Sequence, residues 1–117
     1  MTKEDFISLF RAIDHMNTGE FASYLSDDAI VRFGNQSPVE GKKNIIGYID
    51  AFFKAIKAIE HAELEVWTLA DVAFVNGRVT YTRLDGSQLS VYFSNTFKMK
   101  DGLICEYLIH VDTSELF

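Results

Sequence analysis

Alternation of apolar and polar residues in the second half of the sequence constrains the fold more than any other feature. Four segments rich in β-branched and aromatic residues follow one another there: Glu63–Leu69, Val72–Thr82, Gln88–Lys98 and Leu103–Asp112. Short turn sequences separate them, and two of these contain Asp-Gly, which favours hairpins because glycine adopts positive φ without steric cost. Neighbouring segments are therefore predicted to pair as one curved antiparallel β-meander.

The side chains of a strand point alternately to the two faces of its sheet. One face of the third segment is an apolar wall that carries a single amide; it consists of Val91, Phe93, Asn95 and Phe97. In the last segment His110 and Asp112 share a face with Leu108, and the opposite face is apolar. An imidazole and a carboxylate two residues apart are therefore predicted to point the same way.

The first half of the sequence predicts helices. Apolar residues recur at i, i+3, i+4 and i+7 from Phe6 to Ile13, and Thr2 followed by Asp5 is typical of a helix N-cap. The next elements are, in order, a short helix (Glu20–Leu25), a strand (Ala29–Phe33), a loop (Gly34–Gly41) and a long amphipathic helix (Lys42–Ile59). This order predicts one α+β domain over residues 1–117, with the helices on one side of an antiparallel sheet.

Composition and charge narrow the range of partners. The chain has 117 residues, a net charge of −6 and no cluster of lysine and arginine, which argues against nucleic acid and an anionic membrane surface. The first residues form no apolar signal core, and no stretch approaches the ~20 apolar residues of a membrane span. Cys105 is the only cysteine, and no His, Asp or Glu spacing suggests a metal site. We therefore expect a cytoplasmic protein without a metal or other cofactor.

Several short motifs occur together in this sequence: the run Asn17–Phe21, the boundary Tyr24–Ala29, Gly41 before the long helix, and the ending from Asp101 to Asp112. Together they resemble the nuclear transport factor two-like superfamily, and within it the SnoaL-like proteins. The group includes small polyketide cyclases, ketosteroid isomerases and limonene epoxide hydrolases. The resemblance covers nearly the whole chain.

This resemblance implies a cone-shaped sheet with three helices from the N-terminal half packed on its concave face, as in cystatin-like α+β barrels. In such a cone the concave face carries the chemistry, and the convex face often forms a dimer. We assign an apolar patch to the convex face and expect a homodimer through it. The patch consists of Val79, Tyr81, Tyr107, Ile109 and Val111.

The residues that the resemblance implies for catalysis are only partly present. Ketosteroid isomerases have a general-base aspartate where this chain has Phe33, and a protonated aspartate where it has Asn95. In limonene epoxide hydrolases a last-strand aspartate matches Asp112 and an arginine matches Arg78, but their acid falls on Thr80. SnoaL-type cyclases also use a last-strand aspartate as base. Asp112 is therefore the residue that fits more than one reaction.

The candidate site is centred on Asp112 as general base. An apolar pocket would desolvate this carboxylate and raise its pKa from ~3.9 towards neutral pH, and His110 could orient it or exchange a proton with it. Asn95 could bind an oxygen of the ligand, and Arg78 could bind the carboxylate or a substrate anion. The aromatic side chains expected to bind substrate in the pocket wall are Tyr24, Phe33, Trp67 and Phe93.

Each polar candidate also has a purely structural interpretation. Asp112 could cap the turn at Thr113 and Ser114, and Arg78 could be solvated. His110 and Asn95 could be hydrogen-bonded residues of the sheet. Two functions stay open: a pocket for a small apolar organic molecule that acts as a cofactor-free isomerase, cyclase or hydrolase, and a non-catalytic ligand-binding or dimerisation module of the same fold.

Overall fold

The computed structural model describes residues 1–117 and consists of three helices and six strands. The helices are α1 (Lys3–Asp14), α2 (Thr18–Ala22) and α3 (Lys42–Lys54). The strands are β1 (Leu25–Phe33), β2 (Val39–Glu40), β3 (Ala58–Leu69), β4 (Val72–Thr82), β5 (Gln88–Lys100) and β6 (Leu103–Val111). All strands belong to one curved sheet with the order β2-β1-β6-β5-β4-β3. The predicted α+β class and the meander from β3 to β6 are confirmed.

One pair of strands departs from the predicted antiparallel sheet. β1 and β6 run parallel, with Val31 opposite Tyr107, whereas every other neighbouring pair is antiparallel. The cause is the path of the chain. Between β2 and β3, α3 carries it to the opposite edge of the sheet, and four alternating strands then return it to β1.

The long helix is shorter than its apolar spacing predicts. α3 ends at Lys54 instead of Ile59, and β3 already begins at Ala58. Ile56 and Ile59 belong to the apolar stripe of the predicted helix. Both are buried in the structure, but Ile56 lies in the connection between α3 and β3, and Ile59 lies in β3. Apolar spacing over so few residues does not distinguish a helix from a buried strand. The early start of β3 places His61 within the sheet.

The hydrophobic core lies between the concave face of the sheet and the helices, and its buried residues form a single cluster. α1 begins with the predicted cap: the Thr2 hydroxyl accepts from the Asp5 backbone N–H, and the Asp5 carboxylate accepts from the Thr2 backbone N–H. The buried stripe of α1 consists of Phe6, Leu9, Phe10, Ala12 and Ile13. None of the helices has the length and apolar composition needed to cross a membrane.

A bulge in β3 requires a glycine in the neighbouring strand. The β3–β4 register shifts between Ala62 and Glu65, and Glu63 within the shift has a φ of 56°. Gly77 on β4 faces this shift. A Cβ atom at Gly77 would lie 2.8 Å from the Ala62 carbonyl oxygen and 2.9 Å from the ring of Phe93. A larger residue at this position therefore has to displace backbone as well as an aromatic ring.

We expect Gly77→Ala to lower the free energy of unfolding by about 1–3 kcal/mol, the usual range for overpacking. Gly47→Ala is a matched control, because Gly47 is exposed in α3 and an added Cβ there meets nothing within 4 Å. That control is expected to stabilise the protein by about 0.5–1 kcal/mol, since alanine favours a helix interior. Urea denaturation measures both, and a Gly77→Ala protein as stable as the wild type would contradict the close contact.

Candidate active site

A pocket opens on the concave face, between the sheet and α3. Its cavity volume is about 50 Å³, and the space between atoms out to and including its open mouth is about 580 Å³. Sixteen residues line it, of which fourteen are hydrophobic, and the other two are His61 and Asn95. The aromatic lining residues are Phe21, Phe33, Tyr48, Phe52, Phe53, Tyr81, Phe93 and Tyr107. Such a pocket suits a small, mostly apolar molecule that a few polar groups orient.

His61 is held by Asp14, the last residue of α1. Its Nδ1 lies 2.6 Å from Asp14 Oδ1, and its backbone N–H donates to Asp14 Oδ2 at 3.0 Å. The imidazole is 8% exposed and packs against the rings of Phe10 and Phe93, at centroid distances of 4.8 and 5.2 Å. One carboxylate therefore fixes both the strand and the orientation of the ring.

The contact with Asp14 determines which ring nitrogen of His61 can act on a ligand. A carboxylate at this distance accepts the hydrogen of Nδ1, so the neutral ring carries a lone pair on Nε2. If Nε2 takes up a proton, the same carboxylate stabilises the imidazolium. A histidine that acts as a general base is oriented by a carboxylate in the same way.

Asn95 and three tyrosines supply the other polar groups of the pocket, and the hydroxyl of one of them, Tyr48, donates to Gln36 Oε1 at 2.7 Å. The Asn95 Nδ2 donates to the Tyr107 hydroxyl at 3.4 Å. Burial raises the pKa of both Tyr81 and Tyr107. Repulsion from an ionised Tyr81 and from the Asp14 carboxylate raises the pKa of Tyr107 further. Both hydroxyls therefore stay protonated at neutral pH. Because the Tyr107 oxygen accepts from Asn95, its hydrogen is free for a ligand.

Three of the residues predicted from the sequence lie in the pocket wall: Phe33, Phe93 and Asn95. Phe33 packs against Phe52 of α3 at 5.7 Å between ring centroids. The predicted face of β5 is confirmed, since Phe93, Asn95 and Phe97 are all buried against the helices. Substrate binding by the three pocket residues stays a prediction.

The predicted positions of Asp112 and His110 are wrong. Both side chains are exposed, neither lines the pocket, and His110 instead lies by a shallow polar depression on the convex face. Asp112 Oδ1 accepts from the Ser114 backbone N–H at 3.0 Å, and hydrogen bonds from Ser114 lower the pKa of Asp112, opposite to the expected rise. The physical reason is the alternation of side chains at the end of β6. Its apolar side chains are buried against the pocket, so the polar side chains between them point to solvent on the opposite face.

Three further candidates also lie outside the pocket. Arg78 is on the convex face, where its Nε is 3.5 Å from Glu63 Oε2. Trp67 is 49% exposed on the same face, opposite Phe74. Tyr24 packs against the core without reaching the pocket, and its carbonyl accepts from the Ile104 N–H at 2.8 Å. The wall that these side chains were expected to form comes from α3 instead.

The apolar patch predicted for the convex face is on the concave face. Its five residues line the pocket: Val79, Tyr81, Tyr107, Ile109 and Val111. The residues assigned to the convex face were therefore wrong, because alternation buries these side chains beneath the helices. The convex face instead exposes Trp67, Phe74 and Tyr92.

The pair His61 and Asp14 was not predicted from the sequence. The long predicted helix ended at Ile59, so His61 fell in the connection that follows it. In the structure His61 follows Ile59 by two residues on β3, and both face the pocket. Asp14 follows Phe10 by four residues, which puts it on the buried side of α1. A carboxylate four residues after a core phenylalanine is the sequence signal that could have identified Asp14.

We expect Asp112→Asn to destabilise the protein at neutral pH and to leave pocket binding unchanged. The folded-state pKa of Asp112 is lowered, so its stabilising effect is complete above the ordinary aspartate pKa and is lost as pH falls through the lower folded value. Thermal midpoints of both proteins from pH 7 to pH 2 should therefore converge in acid. A variant equal to the wild type at pH 7 would contradict the cap.

The fold and the site together define a class: small α+β proteins in which helices and a curved sheet enclose one apolar pocket. Residues 6–107 match the model of the SnoaL-like domain family. The chain therefore belongs to the SnoaL-like family, as its sequence motifs indicated. No curated protein sequence matches the chain significantly.

Solved structures share this fold at low sequence identity. A proposed polyketide cyclase from Pseudomonas putida KT2440 superposes with a TM-score of 0.88 at 15% identity, over 95% of this chain and 91% of that one. TerC, co-crystallised with polyporic acid, superposes with a TM-score of 0.83 at 17% sequence identity, over 97% of this chain and 92% of that one. A Catenulispora acidiphila protein with a ketosteroid isomerase-like fold, in complex with trimethylamine, superposes with a TM-score of 0.84 at 11% sequence identity, over 94% of this chain and 86% of that one.

Proposed function

We propose that the protein catalyses proton transfer on a small, largely apolar carbonyl compound without a cofactor, with His61 as the general base. The observation that carries this proposal is the hydrogen bond between His61 and Asp14 in the wall of an apolar pocket. A positioned histidine with a free Nε2 suits abstraction of a proton next to a carbonyl group. Asp112, the base expected from the sequence, has no access to this pocket.

The pocket provides a group for each stage of such a reaction. His61 Nε2 takes a proton from the carbon next to the carbonyl, and Asp14 stabilises the imidazolium that forms. The Tyr107 hydroxyl donates a hydrogen bond to the oxygen on which negative charge develops. Return of the same proton to another carbon gives an isomer. Alternatively, the enolate carbon attacks a second carbonyl, which closes a ring, and the alkoxide that forms takes the proton back from His61.

Family membership supports an isomerase or a cyclase over other reactions. The SnoaL-like family model covers most of the chain. A structure of similar fold has been determined with polyporic acid, an organic molecule of the kind that a pocket of this composition accommodates. A small organic ligand is therefore the proposed partner. Hydrolysis, the third reaction predicted from the sequence, has no additional support.

The second candidate is a non-catalytic module that binds a small apolar ligand in the same pocket. The observation that favours it is the predominance of hydrophobic lining residues. A homodimer through the convex face and a cytoplasmic location stay predictions. Trp67, Phe74 and Tyr92 are the side chains that such a dimer would cover.

Deuterium exchange distinguishes the two candidates. 1-Indanone and 1-tetralone, small apolar ketones with exchangeable α-protons, are incubated with the protein in D₂O near neutral pH and followed by proton NMR. Catalysis predicts exchange that is faster than in buffer and proportional to protein concentration. A binding module predicts a ligand-induced rise in thermal midpoint with exchange at the buffer rate. Neither effect with either ketone would count against the pocket as a site for such molecules.

A further inference from the structure

The mouth of the pocket lies between α3 and the ends of β1 and β6. The lining residues that stay partly exposed include Phe33 on β1, Tyr48 and Phe52 on α3, and Ile109 and Val111 on β6. The lining residues from α1 and α2 are buried. A ligand therefore reaches the pocket past the side chains of α3 and of the two strand ends.

The enclosed part of the pocket is too small for an aromatic ring. Its cavity volume is about 50 Å³, and the space reaches about 580 Å³ only with the mouth included. By comparison, a cavity of roughly 150 Å³ holds one benzene molecule. A bound ring has to extend into the mouth, so the side chains that close the mouth have to move when it enters.

Phe52 is the side chain with most aromatic contacts at the mouth. Its ring lies 5.7 Å from Phe33 and 6.4 Å from Phe117 between centroids. It also meets Tyr81 edge-on, at 6.1 Å. Phe117 is 80% exposed, so its ring covers Phe52 from the solvent side. Movement of Phe52 towards solvent therefore requires Phe117 to move first.

Phe117 belongs to residues 113–117, which follow β6 and form neither helix nor strand; we call them the strap. The side chain of Leu116 is buried in the core and anchors the strap. Arg83, just after β4, donates from Nε to the Leu116 carbonyl at 3.0 Å and from Nη2 to the Glu115 carbonyl at 2.8 Å. The strap can open without breaking any hydrogen bond between strands of the sheet.

We propose that the strap controls access to the pocket: Arg83 holds it in place, and Phe117 keeps Phe52 across the mouth until a ligand enters. This inference goes beyond the proposed function, because it applies whether the pocket is catalytic or only binds. Because a bound ring occupies the mouth, the strap opens before entry and does not close over the ligand. The fraction of molecules with a closed strap then lowers the apparent affinity.

Entry and release of naphthalene test the inference, since this apolar two-ring probe has no acidic proton. Its fluorescence on stopped-flow mixing with the full chain gives both rate constants. We expect Phe117→Ala to speed entry about threefold to tenfold, the equivalent of one aromatic contact, and to leave release unchanged. Arg83→Gln removes the guanidinium and should speed entry in the same way.

Tyr92→Ala and Arg78→Gln are matched controls of the same residue types, because both side chains are exposed on the convex face. They should leave entry and release unchanged. A purely structural strap would lower the thermal midpoint of its two variants without speeding entry. Entry at or below the wild-type rate in both strap variants would overturn the proposal. Failure of naphthalene to bind either the wild type or Phe117→Ala would overturn it too.

The result is separable from the outcome of the exchange experiment. Faster naphthalene entry in the strap variants, without ketone exchange in the wild type, would support the strap and count against catalysis. Ketone exchange in the wild type, with naphthalene entry that the strap variants do not change, would support catalysis and overturn the strap.

Discussion

Replacing His61 by Gln should lower the rate of protein-catalysed α-proton exchange by about 10²–10⁴-fold, the usual contribution of a general base. Glutamine is similar in size and can still donate to Asp14, so packing between Phe10 and Phe93 changes little. It has no nitrogen that accepts a proton near neutral pH. Exchange is measured by proton NMR in D₂O, with the thermal midpoint as a check on folding.

Two further variants make this test specific. Asp14→Asn keeps the shape of the pair but no longer stabilises the imidazolium, so the exchange rate should fall while ketone binding persists. His15→Gln changes the neighbouring histidine, which is exposed and outside the pocket, and should leave the rate unchanged. An unchanged rate in a folded His61→Gln protein would remove His61 as the base.

Replacing Phe97 by Ala should lower the free energy of unfolding by about 3–5 kcal/mol, as for other fully buried phenylalanines. Phe97 is fully buried, and its ring lies 4.9 Å from Phe6 and 4.4 Å from Tyr107 between centroids. The substitution therefore removes the side chain that connects α1, β5 and the pocket tyrosine. Denaturant unfolding followed by circular dichroism measures the loss.

Tyr92→Ala is the matched control on the same strand, because Tyr92 points to the convex face and is 77% exposed. In a monomer its effect should stay within about 0.5 kcal/mol, as for most surface positions. A large loss that depends on protein concentration would instead indicate a homodimer through the convex face. Equal effects of the two substitutions in dilute protein would contradict the assigned faces of β5.

Most of the fold was predictable because it depends on local signals. Asp-Gly turns and alternating residues give the meander, and the spacing from Phe6 to Ile13 gives α1. The end of α3 was not predictable in this way, because Ile56 and Ile59 satisfy a helical stripe and a buried strand equally. The parallel β1–β6 pair depends on the path of the whole chain, for which no short segment carries a signal.

The site was less predictable than the fold for a physical reason. Asn95 and Phe93 were found because their strand alternates clearly. Asp112 was placed in the pocket by resemblance, although the apolar residues on the other face of β6 favour the opposite orientation. His61 and Asp14 are far apart in sequence, and each alone resembles a surface residue near a helix end. Only the packing of α1 against β3 brings them together.

The parallel pair of β1 and β6 has a consequence for the order in which the protein folds. The hairpins from β3 to β6 close short loops, whereas β1 has to find a partner separated from it by most of the chain, so we expect β1 to dock late. Val31→Ala on β1 should then mainly speed unfolding, and Val79→Ala on β4, equally buried, should mainly slow refolding. Stopped-flow measurements separate the two effects. Because β6 supplies Tyr107 and Ile109 to the pocket, a chain still being synthesised has no complete binding site until its last strand has left the ribosome.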